Sequence, residues 1–206
     1  MARVAAAALA FAILASCDAL RSFEAVCEAR LPPVAVTVEA EPLSYRIDRR
    51  HSFAELTRKG AAIAGEGRFV LGLTEASLQR EVQLRAPGVA SRARSKYCMR
   101  PQIAVNVTFN PVTVYLGRDD AEGSCRDRLT FDHELRHIAV YQTFLGGFAD
   151  RVRGQLIDHF GNRILYFGSA EEAQAHVDRV LAEFLSPLVQ QAMEEVRSLQ
   201  RAVDSP

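Results

Sequence analysis

The sequence predicts an α+β fold: a small strand-rich N-terminal part, residues 34–125, followed by a helical part, residues 126–206, with two long antiparallel helices. Three observations carry this. β-Branched runs recur at Val34-Ala35-Val36-Thr37-Val38-Glu39, at 103–109 and at 112–116. Beyond about Arg126, apolar residues return every three or four positions, the period of a helix with one buried face. Gly161-Asn162 and Phe167-Gly168 then break that pattern into two stretches, about 127–160 and 169–203, and short connections favour antiparallel neighbours.

Residues 1–16 read as a signal peptide. Arg3 precedes the apolar run 4–15, which is shorter than the about 20 residues a bilayer-spanning helix needs. Leu14-Ala15-Ser16-Cys17 resembles the lipobox of bacterial lipoproteins. That resemblance implies that Cys17 is lipidated and that the chain is held by its N-terminal lipid on a membrane of the cell envelope, facing the periplasm. Asp18 resembles an inner-membrane retention signal. Residues 17–33 are then a tether closed by Pro32-Pro33.

Further along, 43–47 is a second strand candidate. Ser52 to Gly60 reads as a short helix, with Ser52 as cap, Glu55 at the capping-box position and Gly60 as stop. Arg68 to Leu73 and Gln79 to Arg85 are separate strand candidates. Residues 86–97, rich in Gly, Pro, Ser and basic residues, read as a solvated loop. Asn110-Pro111 reads as a tight turn between the two strongest strands. Asp119, Asp120 and Glu122 lack the spacing of a calcium loop, so a polar turn is expected.

The composition bounds the function. Among 206 residues, 49% are hydrophobic and 24% charged, and the net charge is zero. An ordinary globular protein fits; a general nucleic-acid binder, which carries a basic excess, does not. Without Cys17, the cysteines are Cys27, Cys98 and Cys125, and an oxidising periplasm permits disulfides. Cys98 and Cys125 flank the expected hairpin and are the preferred pair. Cys27 is then a free thiol or the partner in an alternative pairing, since spacing does not fix connectivity.

His133-Glu134-Leu135-Arg136-His137 matches H-E-x-x-H. On a helix, positions i and i+4 share a face, so both imidazoles can meet one zinc ion. Zinc lowers the pKa of its water toward neutrality, and Glu134 is placed to take the proton. His137 also begins a stripe continuing through Tyr141, Phe144, Leu145, Phe148, Val152, Leu156 and Phe160.

A third ligand must come from elsewhere. The extension H-x-x-G-x-x-H fails, because Val140 and Thr143 stand where Gly and His are needed. If the helices pair about a turn at 160–169, residue 172 faces 157, about 30 Å along the helix from His137; this excludes Glu171 and Glu172. His137 faces the neighbourhood of 192, and His133 that of 196. Glu195 lies there, within an apolar stripe of Val177, Leu181, Phe184, Leu188, Ala192, Leu199 and Ala202. A carboxylate on an apolar face is costly unless paired or metal-bound. Glu195 is therefore the first candidate and Asp204 the second. A salt bridge to Arg136, or a helix rotated enough to expose the side chain, are the competing explanations of Glu195, and a kink at Pro187 would shift the register.

On these residues the chain resembles a family of predicted secreted zinc-dependent proteases of the zincin class. The shared layout runs from Tyr45 to Val203: a strand-rich part, a Cys-bracketed hairpin, H-E-x-x-H on a helix, and a second helix. The resemblance implies zinc at His133 and His137, a catalytic Glu134, and a peptide or protein substrate. Members often carry an Asp- and His-containing stretch after the last helix; this chain departs from that pattern, with Ala202-Val203-Asp204-Ser205-Pro206 there and no histidine among them. The expected function is an exported zinc metallopeptidase. The alternatives are an envelope lipoprotein that keeps the fold as a non-enzymatic scaffold, and a zinc hydrolase of non-peptide amides.

Overall fold

The computed structural model describes residues 21–61 and 69–205. The expected signal peptide and Cys17 lie outside them. Helices and strands are mixed in an α+β arrangement: α1 (Phe23–Arg30), β1 (Ala35–Ala40), β2 (Arg46–Asp48), α2 (Phe53–Lys59), β3 (Gly72–Arg85), β4 (Gly88–Ser91), β5 (Lys96–Met99), β6 (Gln102–Leu116), α3 (Cys125–Phe160), β7 (Leu165–Phe167) and α4 (Ala170–Val203). Among the described residues no helix is long and apolar enough to cross a membrane. The chain forms two compact units, each assembled from three separate stretches of sequence.

Of the described residues, the first unit takes in those up to Ala35, Leu84–Ile103 and Asp158–Leu181. Ser22 caps α1 by accepting a hydrogen bond from the Ala25 N–H. Phe23, Cys27 and Leu31 follow at four-residue spacing and are buried together with Cys98. The stretch expected to be a tether is thus packed from Phe23 onward. Strands β4, β5 and β7 form a three-stranded sheet in that order, antiparallel throughout.

Two expectations fail in this unit. Residues 86–97 are not a loop: β4 and β5 pair there, joined by a 3-10 turn at Arg92–Arg94. Their Gly/Ser/Arg composition hides them because part of the pairing comes from β7, far along the chain. The disulfide is Cys27–Cys98, with Cα atoms 6.3 Å apart, rather than Cys98–Cys125. Cys98 points into the apolar cluster formed by α1, where Cys27 is fully buried. Cys125 is free and exposed at the start of α3.

The second unit comprises Val36–Gln83, Ala104–Ile157 and Ala182–Pro206. Its sheet is organised on β6, which pairs with β1, β2 and β3. Burial alternates over 103–109, then becomes continuous from Val112 to Leu116, as expected for a strand covered on both faces. β2 runs parallel to β6, with Arg46 opposite Thr113 and Asp48 opposite Tyr115. Asn110-Pro111 is therefore not a turn, and β6 runs through it. The Glu41 N–H still reaches the Val107 carbonyl on one side, and the β2 ladder begins at Thr113. Pro111 falls between these pairings, where its missing N–H costs least. The two strands expected at 68–73 and 79–85 are likewise one strand, β3, beginning at Gly72.

The Ser52–Glu55 capping box is present, and Gly60 caps the other end of α2. The acidic residues before α3 form the expected polar turn. Asp119 accepts from the Phe53 N–H, Asp120 pairs with Arg126, and Glu122 pairs with Arg49. Asp127, buried in the first turn of α3, accepts from Arg49 and from the Gly123 N–H. The Arg49 hydrogen bond holds its carboxyl below the ordinary carboxylate range. The start of the helix is thus tied to the residue following β2, six residues before His133. Further down, the Tyr141 ring lies 4.7 Å from that of Phe109 on β6, so α3 packs on the sheet at one turn beyond His137.

Candidate metal centre

Helix α3 places His133 and His137 one turn apart, and their rings meet edge to face with centroids 4.9 Å apart. The third member is Asp204, immediately after the last residue of α4. Its Oδ1 lies 3.1 Å from His133 Nε2 and 3.2 Å from His137 Nε2, and the two Nε2 atoms are 3.2 Å apart. Three donor atoms, two from α3 and one from the residue after α4, thus form a nearly equilateral triangle, and these residues could hold a metal ion.

The hydrogen bonds around the triangle test whether a cation fits it. The Gln200 amide nitrogen donates to the His137 carbonyl oxygen at 3.1 Å, which can only accept. That orients the amide, so the Gln200 Oε1 atom, 2.5 Å from His137 Nδ1, is an acceptor too. Nδ1 must then carry the proton, and a neutral His137 presents a bare lone pair at Nε2. This lone pair faces the Asp204 oxygen, another acceptor, at 3.2 Å. With both rings neutral, a proton on His133 relieves one edge of the triangle and leaves that one to a cation or to a second proton on His137. A cation at the centre relieves all three. The separations fit as well: ligand atoms about 2.0–2.1 Å from a tetrahedral ion lie roughly 3.3 Å from one another.

Access differs across the centre. The His137 side chain is 11% exposed, whereas His133 is 35% and Asp204 41% exposed. One side is therefore packed, and the other is open to solvent.

Glu134 sits beside the triangle and is only 3% exposed. Burial pushes its carboxyl above the ordinary value, opposed by the Thr74 hydrogen bond and the two imidazoles. The Thr74 hydroxyl on β3 donates to Glu134 Oε2 at 2.7 Å. Two residues earlier, Gly72 makes room for the carboxylate. A β-carbon there would lie 2.7 Å from Glu134 Oε1 and 2.7 Å from the Thr130 methyl. Strand β3 thus fixes one oxygen of Glu134 and leaves space at the other.

No family model, no curated protein and no solved structure matches this chain.

Of the residues expected from sequence, His133, Glu134, His137 and Asp204 come together. Glu195 does not: it is exposed, and its Oε2 accepts from Arg151 at 2.8 Å. The inward positions of α4 are Leu181, Leu185, Ala192 and Val196, and Gln200 continues them. Glu195 stands one residue, about 100°, off that line. Leu199, expected inside, is 43% exposed for the same reason. The facing register also differs, with His137 opposite Gln200 and His133 opposite Asp204. The connection after α3 is not a tight reversal but contains β7, so its midpoint does not set the facing residues. Gln200, Thr74 and Gly72 were not anticipated. Gln200 was signalled weakly, one turn before Asp204 on the inward line; the two β3 residues carried no local signal.

Proposed function

We propose that the chain is a zinc-dependent metallopeptidase. One observation carries the reading: two imidazole nitrogens and one carboxylate oxygen converge at 3.1–3.2 Å beside a buried Glu134. Two His and one carboxylate with one open side is a donor set that catalytic zinc uses. Bound zinc would supply Lewis acidity, polarising a carbonyl and acidifying water. We also read α3 and α4 as an antiparallel pair whose first member carries the motif, since His133, His137 and Arg151 meet Asp204, Gln200 and Glu195 in reverse order.

The rest belongs to the protein's own residues. Glu134 takes the proton of the attacking water and can return it to the leaving amine. Its burial raises its basicity, and Thr74 holds the carboxylate so that one oxygen stays committed while the other works. His133 and Asp204, on the open side, border the path by which a substrate enters. Among the described residues, β3 pairs only with β6, which leaves its other edge for an extended peptide beside Glu134. The N-terminal apolar run and Leu14-Ala15-Ser16-Cys17 support a location on the cell envelope, anchored by lipid.

The test is cleavage of a mixed peptide library by the purified, zinc-loaded chain, read by mass spectrometry. Cleavage is expected, to stop on chelation with phenanthroline, and to return on adding zinc. Zinc-loaded protein that cuts nothing, or cleavage indifferent to the chelator, would overturn the proposal.

A further inference from the structure

We infer that Gln200 is a positioning residue that sets the tautomer and orientation of His137 for metal binding. This inference rests on the metal centre proposed above and extends it to a residue outside the donor triangle.

The geometry is specific. Gln200 makes two hydrogen bonds to one residue: its amide nitrogen donates to the His137 carbonyl oxygen at 3.1 Å, and its Oε1 accepts from Nδ1 at 2.5 Å. The first bond fixes which way the amide faces. The second then holds the proton on Nδ1 and keeps Nε2 free to ligate. A ligating histidine gains basicity and loses rotational freedom when its other nitrogen donates in this way. Gln200 also stands one turn before Asp204, so the same end of α4 delivers both a ligand and the group that orients another ligand.

A purely structural role is the competing explanation, because the same side chain ties α4 to α3. The two roles separate on substitution. Gln200→Met keeps the volume and removes both hydrogen bonds. Gln200→Glu keeps an acceptor for Nδ1–H and loses the donor to the His137 carbonyl. Zinc affinity of the full chain, wild type and both variants, is measured by competition with a chromophoric chelator. Melting temperatures of the metal-free proteins are recorded alongside.

Gln200→Met should bind zinc roughly 10- to 100-fold more weakly. Gln200→Glu should recover most of that loss, whatever happens to its metal-free melting temperature. Cobalt substituted for zinc gives a second readout: its visible spectrum should change in Gln200→Met and return toward wild type in Gln200→Glu. Equal zinc affinity in wild type and Gln200→Met would overturn the inference and leave the metal centre standing. A Gln200→Glu variant as weak as Gln200→Met would assign Gln200 to helix pairing alone. A wild-type chain that takes up no zinc would overturn the centre itself, and the role of Gln200 with it.

Discussion

Asp204→Ala is expected to weaken zinc binding by about a hundredfold or more, whereas Glu195→Ala should leave it within about twofold. The first figure follows from the energy of a whole site. A complete structural zinc site is worth roughly 10–16 kcal/mol shared among its ligands, so one ligand carries about 3 kcal/mol, and about 1.4 kcal/mol is tenfold. The second follows from position. Glu195 is an exposed partner of Arg151 with no contact to the triangle, and such pairs are worth little. The contrast is sharp because the sequence pattern of α4 favours Glu195 and the structure favours Asp204. A chelator-competition titration of both variants decides it. Loss of affinity in Glu195→Ala with none in Asp204→Ala would reject the arrangement of α4 described here.

Glu134→Gln should keep zinc and lose hydrolysis by about 10²- to 10⁴-fold, the range set by removing a positioned general base. Glutamine fills the same volume and can still receive the Thr74 hydroxyl hydrogen bond at its amide oxygen. It cannot take a proton from water. The measurement pairs metal content with the rate of peptide cleavage for the same sample. If both fall together, Glu134 shapes the site rather than acting as base. If the rate survives, the base is another group.

The parts legible in the sequence were those set by local pattern. The i, i+4 spacing of His133 and His137 needs only a helix, and the apolar stripe through Tyr141 and Phe148 supplies it. The capping box at Ser52 and Glu55 is equally local. The parts that failed depend on distant partners. β5 lies between β4 and β7, so neither neighbour could be inferred from the Gly- and Arg-rich stretch that holds it. Cys27 was assigned to a tether because nothing nearby shows that Phe23, Cys27 and Leu31 have an apolar cluster to enter. The third ligand turned on phase. A shift of one residue turns a helical side chain by about 100°, and that was enough to exchange Glu195 for Val196 on the inward face. Thr74 and Gly72 were beyond reach for another reason: they act on Glu134 across some 60 residues of sequence, Thr74 through a hydrogen bond and Gly72 through the absence of a side chain.

The proposed zinc centre of His133, His137 and Asp204 is tested most directly by metal analysis of the purified chain by mass spectrometry. After dialysis against metal-free buffer, the wild-type protein should retain one zinc per chain and His137→Ala should retain none. Metal-free wild-type protein that also fails to take up added zinc, a centre filled by iron in place of zinc, or equal zinc in wild type and variant would contradict it.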